Sequence, residues 1–309
     1  MEPSVSPSPS WRAWLEAARP RTLPLALASI LLGSFLAAAR AQFNGLIFGL
    51  AVLTTVFLQI LSNLANDWGD SIHGADSLHR EGPQRAVQTG HISSRAMRNA
   101  VILFSVLSFA SGITLLLFGI DLGDIRVFWG FLALGLVAIA AAIAYTSGPR
   151  PYGYAGLGDI SVLIFFGWVG VLGTYYLHAQ HIEWADLLPA SACGLFAAAV
   201  LNVNNIRDIH SDRLAGKFSI PVRLGPRRAR VYHWALLGGG MVCAVVYVLQ
   251  QPGGPWQWLF LLSFPLLVRN GVAVWQRQRA AELDPLLKQM ALSTLLFVVT
   301  FGLGQLLAA

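Results

Sequence analysis

Carboxylates and carboxamides follow directly after an apolar run in this chain. The run covers residues 46–64, and the segment that ends it contains Asn63, Asn66, Asp67 and Asp70. If the helix of the run continues, these side chains fall at i, i+3, i+4 and i+7 and share one face. Clustered carboxylates beside a low-dielectric phase repel one another unless a cation lies among them, and a hard divalent cation prefers oxygen ligands. The stretch therefore predicts a metal site.

A second acidic stretch has the same design. It follows the apolar residues 187–201 and contains Asn205, Asp208 and Asp212, which share a face at i, i+3 and i+7 on a continuous helix. The apolar sequence between the two stretches is sufficient for four helices. We therefore expect two acidic half-sites that face each other.

The composition defines the environment of these acids. Of 309 residues, 55% are hydrophobic and 12% are charged, and the mean hydropathy is +0.60. A water-soluble domain has too little buried volume for this balance, so we predict an integral membrane protein. Cys193 and Cys243 lie inside apolar runs and indicate neither a disulfide nor a metal site. The net charge of +6 comes from basic residues spread between apolar segments, and no nucleic-acid partner is expected.

The apolar segments predict an all-α bundle. A Pro- and Ser-rich tail, residues 1–10, is expected to be disordered, and residues 11–309 to form a single domain. Nine stretches approach the ~20 residues that cross a bilayer. They are residues 22–39, 46–65, 99–119, 127–145, 157–178, 187–204, 232–250, 256–274 and 290–308.

The basic residues orient these nine segments. With the N-terminus inside, all 21 Lys and Arg residues except Arg40 and Arg126 fall on the inner side. This asymmetry is the positive-inside pattern of multi-pass proteins in a lipid bilayer. Both acidic stretches are then expected to face the cytoplasm.

The loops next to the acids suit a substrate with a diphosphate head and a long hydrocarbon tail. The inner loops 66–98 and 205–231 carry Arg and Lys close to the carboxylates, and such groups bind diphosphate together with bridging Mg²⁺. Their candidate cations are Arg80, Arg85, Arg207 and Lys217. The alternative is that these basic residues only fix the topology of the chain, as the positive-inside rule describes.

A third inner loop contains Tyr145, Arg150 and Tyr154 among helix-breaking Pro and Gly residues. We predict that it reaches over a cytoplasmic cavity. The tyrosines and Arg150 would remain there as polar tips. A simple tight turn is the alternative.

With these motifs, the chain resembles the UbiA-type intramembrane prenyltransferases. Segment 66–70 is similar to the first Asp-rich motif of that family, and segment 208–212 to its second. Segments 18–24, 82–90 and 148–159 resemble the branch that prenylates 1,4-dihydroxy-2-naphthoate. The resemblance covers nearly the whole chain after residue 11.

The resemblance implies nine helices around a central cavity that opens to the cytoplasmic side and to lipid. It also implies Mg²⁺-dependent transfer from a polyprenyl diphosphate to 1,4-dihydroxy-2-naphthoate, with release of CO₂ and diphosphate and formation of demethylmenaquinone. Asp76 follows Asp70 by six residues where the wider family has four, so it ranks below the other acids. Arg150 is the candidate for holding the carboxylate of this acceptor, with Arg21 as the substitute and the loop tyrosines supplying ring faces and a hydroxyl; the alternative is that Arg150 contacts the diphosphate. The predicted metal ligands are Asp67, Asp70, Asp208, Asp212 and Asp76. The catalytic candidates are Asp67, Asp70, Asp208, Asp212, Tyr145 and Arg150. The substrate-binding candidates are Asn63, Asn66, Arg21, Arg80, Arg85, Asn205, Arg207, Lys217 and Tyr154.

Three other functions are alternatives. A prenyltransferase for another aromatic, such as 4-hydroxybenzoate or a haem precursor, differs only in segments 82–90 and 148–159. A cation transporter would place acids in the middle of its segments, whereas these acids lie at segment ends. A lipid-binding scaffold has no need for paired acidic clusters.

Overall fold

The chain is almost entirely helical. The computed structural model describes residues 10–73, 85–121, 123–251 and 253–309. Its α-helices within those ranges are α1 Trp11–Ala18, α2 Leu23–Ala39, α3 Gly45–His73, α4 Ser94–Gly119, α5 Ile125–Ala144, α6 Gly158–Val162, α7 Gly173–Ala179, α8 Leu187–Arg207, α9 Ile209–Leu214, α10 Ile220–Gln250, α11 Phe264–Gln276 and α12 Ala280–Ala308. A π-helical stretch, Leu163–Leu172, joins α6 to α7.

The predicted number of membrane spans is confirmed. Within the described ranges, nine helical spans are long and apolar enough to cross a membrane, and they follow the predicted order. This is an all-α, multi-pass membrane protein. The predicted tail, apart from Ser10, and the candidates Asp76 and Arg80 lie outside the described residues.

Several helices begin earlier than the apolar runs predicted. Helix α4 begins at Ser94, α10 at Ile220 and α12 at Ala280, so the predicted starts at 99, 232 and 290 are wrong. Helix α10 is broken at Gly225, where φ is 78° and ψ is 167°. An apolar count stops at charged residues, but a helix continues until its backbone is capped. Before α4, the Ser93 hydroxyl accepts the Ala96 N–H at 3.2 Å, an N-cap contact. The predicted inner loop 205–231 is consequently mostly helical.

The two acidic stretches sit on different local structures. Helix α3 runs without interruption to His73, so the first acidic face lies on one helix, as predicted. The second stretch bends at Asp208, where φ and ψ are −95° and 12°. The Asp212 N–H still donates to the Asp208 carbonyl at 2.8 Å, and Asn205, Asp208 and Asp212 are all buried. The predicted straight helix is therefore wrong, although the three residues stay together across the bend.

Small residues allow the helices to approach closely. In α8, Gly194 meets Gly167 of the π-helical stretch, and a Cβ added at Gly194 would lie 3.0 Å from the Gly167 Cα. In α12, Gly302 lies against the Phe35 ring of α2. Because lipid removes the hydrophobic drive between helices, such close packing is a main source of association in a membrane. Aromatic rings, including Phe196 and Phe297 at 5.0 Å, fill the core between α8 and α12.

A cavity of about 400 Å³ lies among α2 to α5 and the span from α6 to α7. Most of its lining is apolar, while Gln59, Asn63, Asn66 and Tyr145 line it near the acidic stretches. Its α3 wall extends from Ala51 to Asn66, about 22 Å at 1.5 Å per residue. The cavity therefore connects the acidic end of the bundle to its apolar interior.

Candidate active site

The first acidic pair is held by the chain that follows α3. Asp67 and Asp70 are only 1% and 2% exposed. The Asp67 carboxylate accepts the backbone N–H groups of Ala86 at 3.2 Å and Val87 at 3.4 Å. The Asp70 carboxylate forms an ion pair with Arg85 at 2.5 Å. The candidate Arg85 thus lies at the first pair, where its charge offsets the cost of burying the acid.

The second acidic pair has its own cations. Both oxygens of Asp208 accept hydrogen bonds at 2.7 Å from the neighbouring Arg207, one from Nε and one from Nη2. The Lys217 ammonium lies 3.2 Å from both oxygens of Asp212. The candidates Arg207 and Lys217 are therefore both placed at the second pair, as cationic partners of its acids.

The third inner loop joins the two pairs. The Tyr154 hydroxyl donates to Asp70 at 2.9 Å, and the Tyr154 carbonyl accepts the Phe218 N–H at 2.9 Å. Gly156 has φ of +79°, and a Cβ there would lie 2.8 Å from the Phe218 carbonyl oxygen, so glycine permits this close approach. Burial and then the charge of Asp70 raise the pKa of Tyr154, which keeps its hydroxyl a donor. The loop is thus more than a tight turn.

Electrostatic effects show that the two pairs are close. Burial raises the pKa of the Asp212 carboxyl to about 6 against the lowering effect of Lys217, and the charges of Asp208 and Asp70 add to the rise. Asp70 lies on α3 and Asp212 on α9, so the two pairs reach this region from different helices. Burial also raises the pKa of Tyr145, which lines the cavity, to about 12, with Lys217 opposing. The acids, Lys217 and Tyr145 thus belong to one region.

The donor set fits a hard divalent cation. Among the described residues, Asn205 Oδ1 and Asp212 Oδ2 are buried side-chain oxygens that receive no hydrogen bond. Such oxygens are suitable ligands for Mg²⁺. Within the described ranges, no group of three or more His, Cys, Asp or Glu side chains is arranged to hold a metal ion by itself, and each acid is engaged by an N–H group or a protein cation. A cation would therefore share its ligands with a bound substrate, as Mg²⁺ commonly does with phosphates.

The carboxamides of α3 have different surroundings. Asn63 donates to the Ala18 carbonyl at 2.9 Å and to Thr22 Oγ1 at 3.0 Å, so it fixes the turn between α1 and α2. Asn66 accepts from Thr146 Oγ1 at 3.2 Å. Both residues also line the cavity.

Two predicted residues are not brought into contact with the acids. Arg150 and Arg21 are exposed, Arg150 on the third inner loop and Arg21 on the 3₁₀ turn before α2. The structure records no partner for either among the described residues. Their predicted role toward an acceptor stays a prediction.

The sequence reasoning missed two residues of this region. Asp284, near the start of α12, pairs with Arg207 at 2.6 Å. Gly69 lets α3 approach the third loop, since a Cβ there would lie 2.6 Å from the Thr146 and Ser147 hydroxyls. The sequence could have indicated a role for Gly69, because it lies between Asp67 and Asp70. It could not have indicated the contact of Asp284, because that residue is 77 positions from Arg207.

Known proteins resemble the chain over nearly its whole length. A protein of Escherichia coli strain K12 named 1,4-dihydroxy-2-naphthoate octaprenyltransferase is 48% identical over 297 residues, which are 96% of each chain. A Mycobacterium tuberculosis protein of the same name is 36% identical, and the match covers 96% of this chain and 99% of that protein.

Solved structures share the fold. A UbiA homolog from Aeropyrum pernix K1 in its apo form has a TM-score of 0.70 at 19% identity, covering 91% of this chain and 97% of that one. A UbiA homolog from Archaeoglobus fulgidus bound to GPP and Mg²⁺ has a TM-score of 0.63 at 17% identity, covering 95% and 99%. The sequence profile of the UbiA prenyltransferase family matches residues 26–301. With nearly the whole membrane bundle inside that match, the chain belongs to the UbiA prenyltransferase family.

Proposed function

We propose that this protein transfers a polyprenyl group from polyprenyl diphosphate to 1,4-dihydroxy-2-naphthoate in menaquinone biosynthesis. The new carbon–carbon bond replaces the carboxyl group, which leaves as CO₂, and the allylic carbon–oxygen bond breaks to release diphosphate. The product is the hydroquinone form of demethylmenaquinone. The named relatives at 48% and 36% identity support this acceptor.

The observation that carries the proposal is the junction of two buried acidic pairs at one end of an apolar cavity. A diphosphate head would lie between Asp70 and Asp212, where Arg85 and Lys217 already supply positive charge. The isoprenoid tail would follow the cavity, whose largely apolar wall excludes water from the cleaving bond. Polar and apolar parts of the site thus match the two parts of the donor.

The residues that would hold Mg²⁺ are carboxylates from both pairs and one carboxamide. When bound, Mg²⁺ supplies positive charge that stabilises the leaving diphosphate. A UbiA homolog has been solved with GPP and Mg²⁺, which supports this choice of metal. The proposed ligands are Asp67, Asp70, Asp208, Asp212 and Asn205.

For the acceptor we propose the third inner loop. Tyr145 lines the cavity next to Asn66 and offers a ring face and a hydroxyl that burial keeps protonated. Arg150 lies on the same loop and would hold the acceptor carboxylate, with Arg21 as the alternative. Holding both reactants in line supplies much of the rate.

For the location we propose the inner membrane of a bacterium, with the acidic site on the cytoplasmic side. The asymmetry of the basic residues supports this orientation. Cysteines at Gln88 and Ala215 should then react with a membrane-impermeant thiol reagent only from the cytoplasmic side, and a cysteine at Gly253 only from the other. Labelling of positions 88 and 253 from one side would contradict the topology.

The function is tested with purified protein, 1,4-dihydroxy-2-naphthoate, a labelled polyprenyl diphosphate and Mg²⁺. We expect a prenylated product that has lost the carboxyl group, and none in excess EDTA. 4-Hydroxybenzoate serves as the control acceptor. Faster turnover of 4-hydroxybenzoate than of the naphthoate would reassign the acceptor, while turnover in EDTA would remove the metal from the proposal.

A further inference from the structure

Arg207 has an unusual number of partners for a buried cation. Its Nε and Nη2 atoms bind Asp208, Nη2 also donates to Asn204 Oδ1 at 2.9 Å, and Nη1 donates to Asp284 Oδ1 at 2.6 Å. The Arg207 side chain is only 3% exposed, so water offers it few substitute partners. Asp284 approaches from α12, a helix that contributes none of the proposed metal ligands.

This arrangement creates a conflict for Asp208. As a metal ligand Asp208 must direct a lone pair to the cation, but both of its oxygens already accept from Arg207, so the cation and the guanidinium compete for one carboxylate. If Asp208 turned away, a buried guanidinium would lose its main counter-charge. Leaving one partner of a buried pair uncompensated is strongly unfavourable. A second acid for Arg207 therefore favours cation binding at Asp208.

We propose that Asp284 is this second acid: a positioning residue that keeps Arg207 paired while Asp208 turns toward the metal. Asp284 also offsets the charge of Arg207, which would otherwise repel the incoming cation. The inference rests on the proposed function, because it concerns the same metal site. It adds a residue from the last helix, 72 positions beyond Asp212, to a site assembled from α3, α8 and α9.

A structural role is the competing explanation for Asp284. The residue lies in the second turn of α12, and an acid near a helix N-terminus interacts favourably with the helix dipole. Glu282 shares that location and takes part in the N-terminal capping interactions of α12, but it does not contact Arg207. Glu282→Gln is therefore a matched control that disturbs the same helix end.

The test measures equilibrium binding of Mn²⁺ to the purified full chain in detergent with inorganic diphosphate present, using the electron paramagnetic resonance signal of free Mn²⁺. We expect Asp284→Asn to raise the Kd for Mn²⁺ by about threefold to tenfold, the scale of one charge-assisted contact that is partly open to solvent. Asp284→Glu should restore part of the affinity. The KM for the naphthoate should stay within twofold of that of the unmodified protein, and Glu282→Gln should leave the Kd unchanged.

A second comparison tests whether Asp284 acts through Arg207. In an Arg207→Gln background, Asp284→Asn should cause no further change in the Kd for Mn²⁺. Equal Kd values for the unmodified protein and Asp284→Asn would overturn this inference alone. An equal loss in Glu282→Gln would assign the effect to the helix end and also overturn it. Failure of the unmodified protein to bind Mn²⁺ would overturn the proposed metal site together with the inference.

Discussion

Buried ion pairs occur at both ends of this bundle, and the two ends differ in how completely the pairs are satisfied. At the end opposite the acidic stretches, Arg40 binds Asp186 through two hydrogen bonds of 2.6 and 2.8 Å. Tyr247 also donates to Asp186 at 3.4 Å, and the Arg40 guanidinium lies 4.9 Å from the Tyr175 ring centre. At the acidic end, within the described part of the chain, the buried Asn205 Oδ1 receives no hydrogen bond, and Asp212 Oδ2 has only the Lys217 ammonium 3.2 Å away.

The difference separates a structural pair from the proposed metal site. Asp186 is fully buried and has one cation dedicated to it, so the pair mainly fixes the ends of α2, α8 and α10. The acidic end gathers five carboxylates, counting Asp284, with three cations, so negative charge is in excess there. Burial raises the pKa of Asp212, and the charges of Asp208 and Asp70 add to the rise. The same residue types therefore stabilise the fold at one end and favour a divalent cation at the other.

The largest expected effect is the loss of turnover when an acidic-site carboxylate is neutralised. Asp67→Asn, Asp70→Asn, Asp208→Asn and Asp212→Asn should each lower kcat by at least about 10²-fold, the scale of losing one oriented electrostatic contact. Steady-state assays at saturating Mg²⁺ measure this loss. The control is Glu183→Gln at the opposite end, where the side chain is half exposed. Near-normal kcat for Asp208→Asn would remove that residue from the metal site.

The opposite pair should affect stability instead of chemistry. Asp186→Asn leaves Arg40 without its anionic partner, and breaking a buried pair costs about 3–5 kcal/mol. We expect a clearly lower Tm in detergent, while kcat of the folded fraction stays within about twofold of normal, since no reacting group is removed. A normal Tm combined with a large drop in kcat would erase the distinction between the two ends.

Removing the bridge between the acidic pairs should have an intermediate effect. Tyr154→Phe keeps the ring and the Phe218 contact but removes the hydroxyl that donates to Asp70. A hydrogen bond to a charged group contributes about 1.5–3 kcal/mol, so kcat/KM should fall about tenfold or more. The matched control is Tyr152→Phe. It removes another hydroxyl of the same loop, one that is hydrogen-bonded to Ser161 of α6. Equal losses in the two variants would show that the loop, and not the bridge, matters.

The smallest expected effect concerns the exposed Arg150. Arg150→Ala should raise the KM for the naphthoate about threefold to tenfold without changing the Mg²⁺ dependence, because one solvent-accessible charged contact is lost. Arg150→Lys should recover only part, since a lysine lacks the planar fork. Initial rates at varied acceptor and fixed donor provide the KM. A rise in the KM for the polyprenyl diphosphate alone would move Arg150 to the diphosphate and make Arg21 the next candidate.

The sequence predicted the membrane spans well because each one is a long, nearly uninterrupted apolar run. Helix starts on the acidic side were predicted poorly, since α4 begins at Ser94 after the N-cap Ser93, and α10 at Ile220 with Pro221 in its first turn, well before the apolar runs. The bend at Asp208 was also missed, because the spacing of the residues is compatible with a straight helix.

For the site, spacing alone indicated that Asp67 and Asp70 share a face and that a second pair would oppose them. It could not indicate that Asn63 is committed to the turn at Ala18 or that Tyr154 joins Asp70 to Phe218. These contacts join positions 45 to 84 residues apart, and their existence follows from helix packing. The assignment of catalytic and binding roles to these residues stays a prediction.

The central claim is that the two acidic pairs act as one site, and a double-mutant cycle on Asp70 and Asp212 tests it most directly. The measurement is kcat/KM for prenyl transfer by the unmodified protein, Asp70→Asn, Asp212→Asn and the double variant. Residues that act as a unit are strongly non-additive. We therefore expect the double variant to lose about as much as the more severe single variant. Losses that multiply would contradict a single shared site and would separate the two acidic pairs into independent functions.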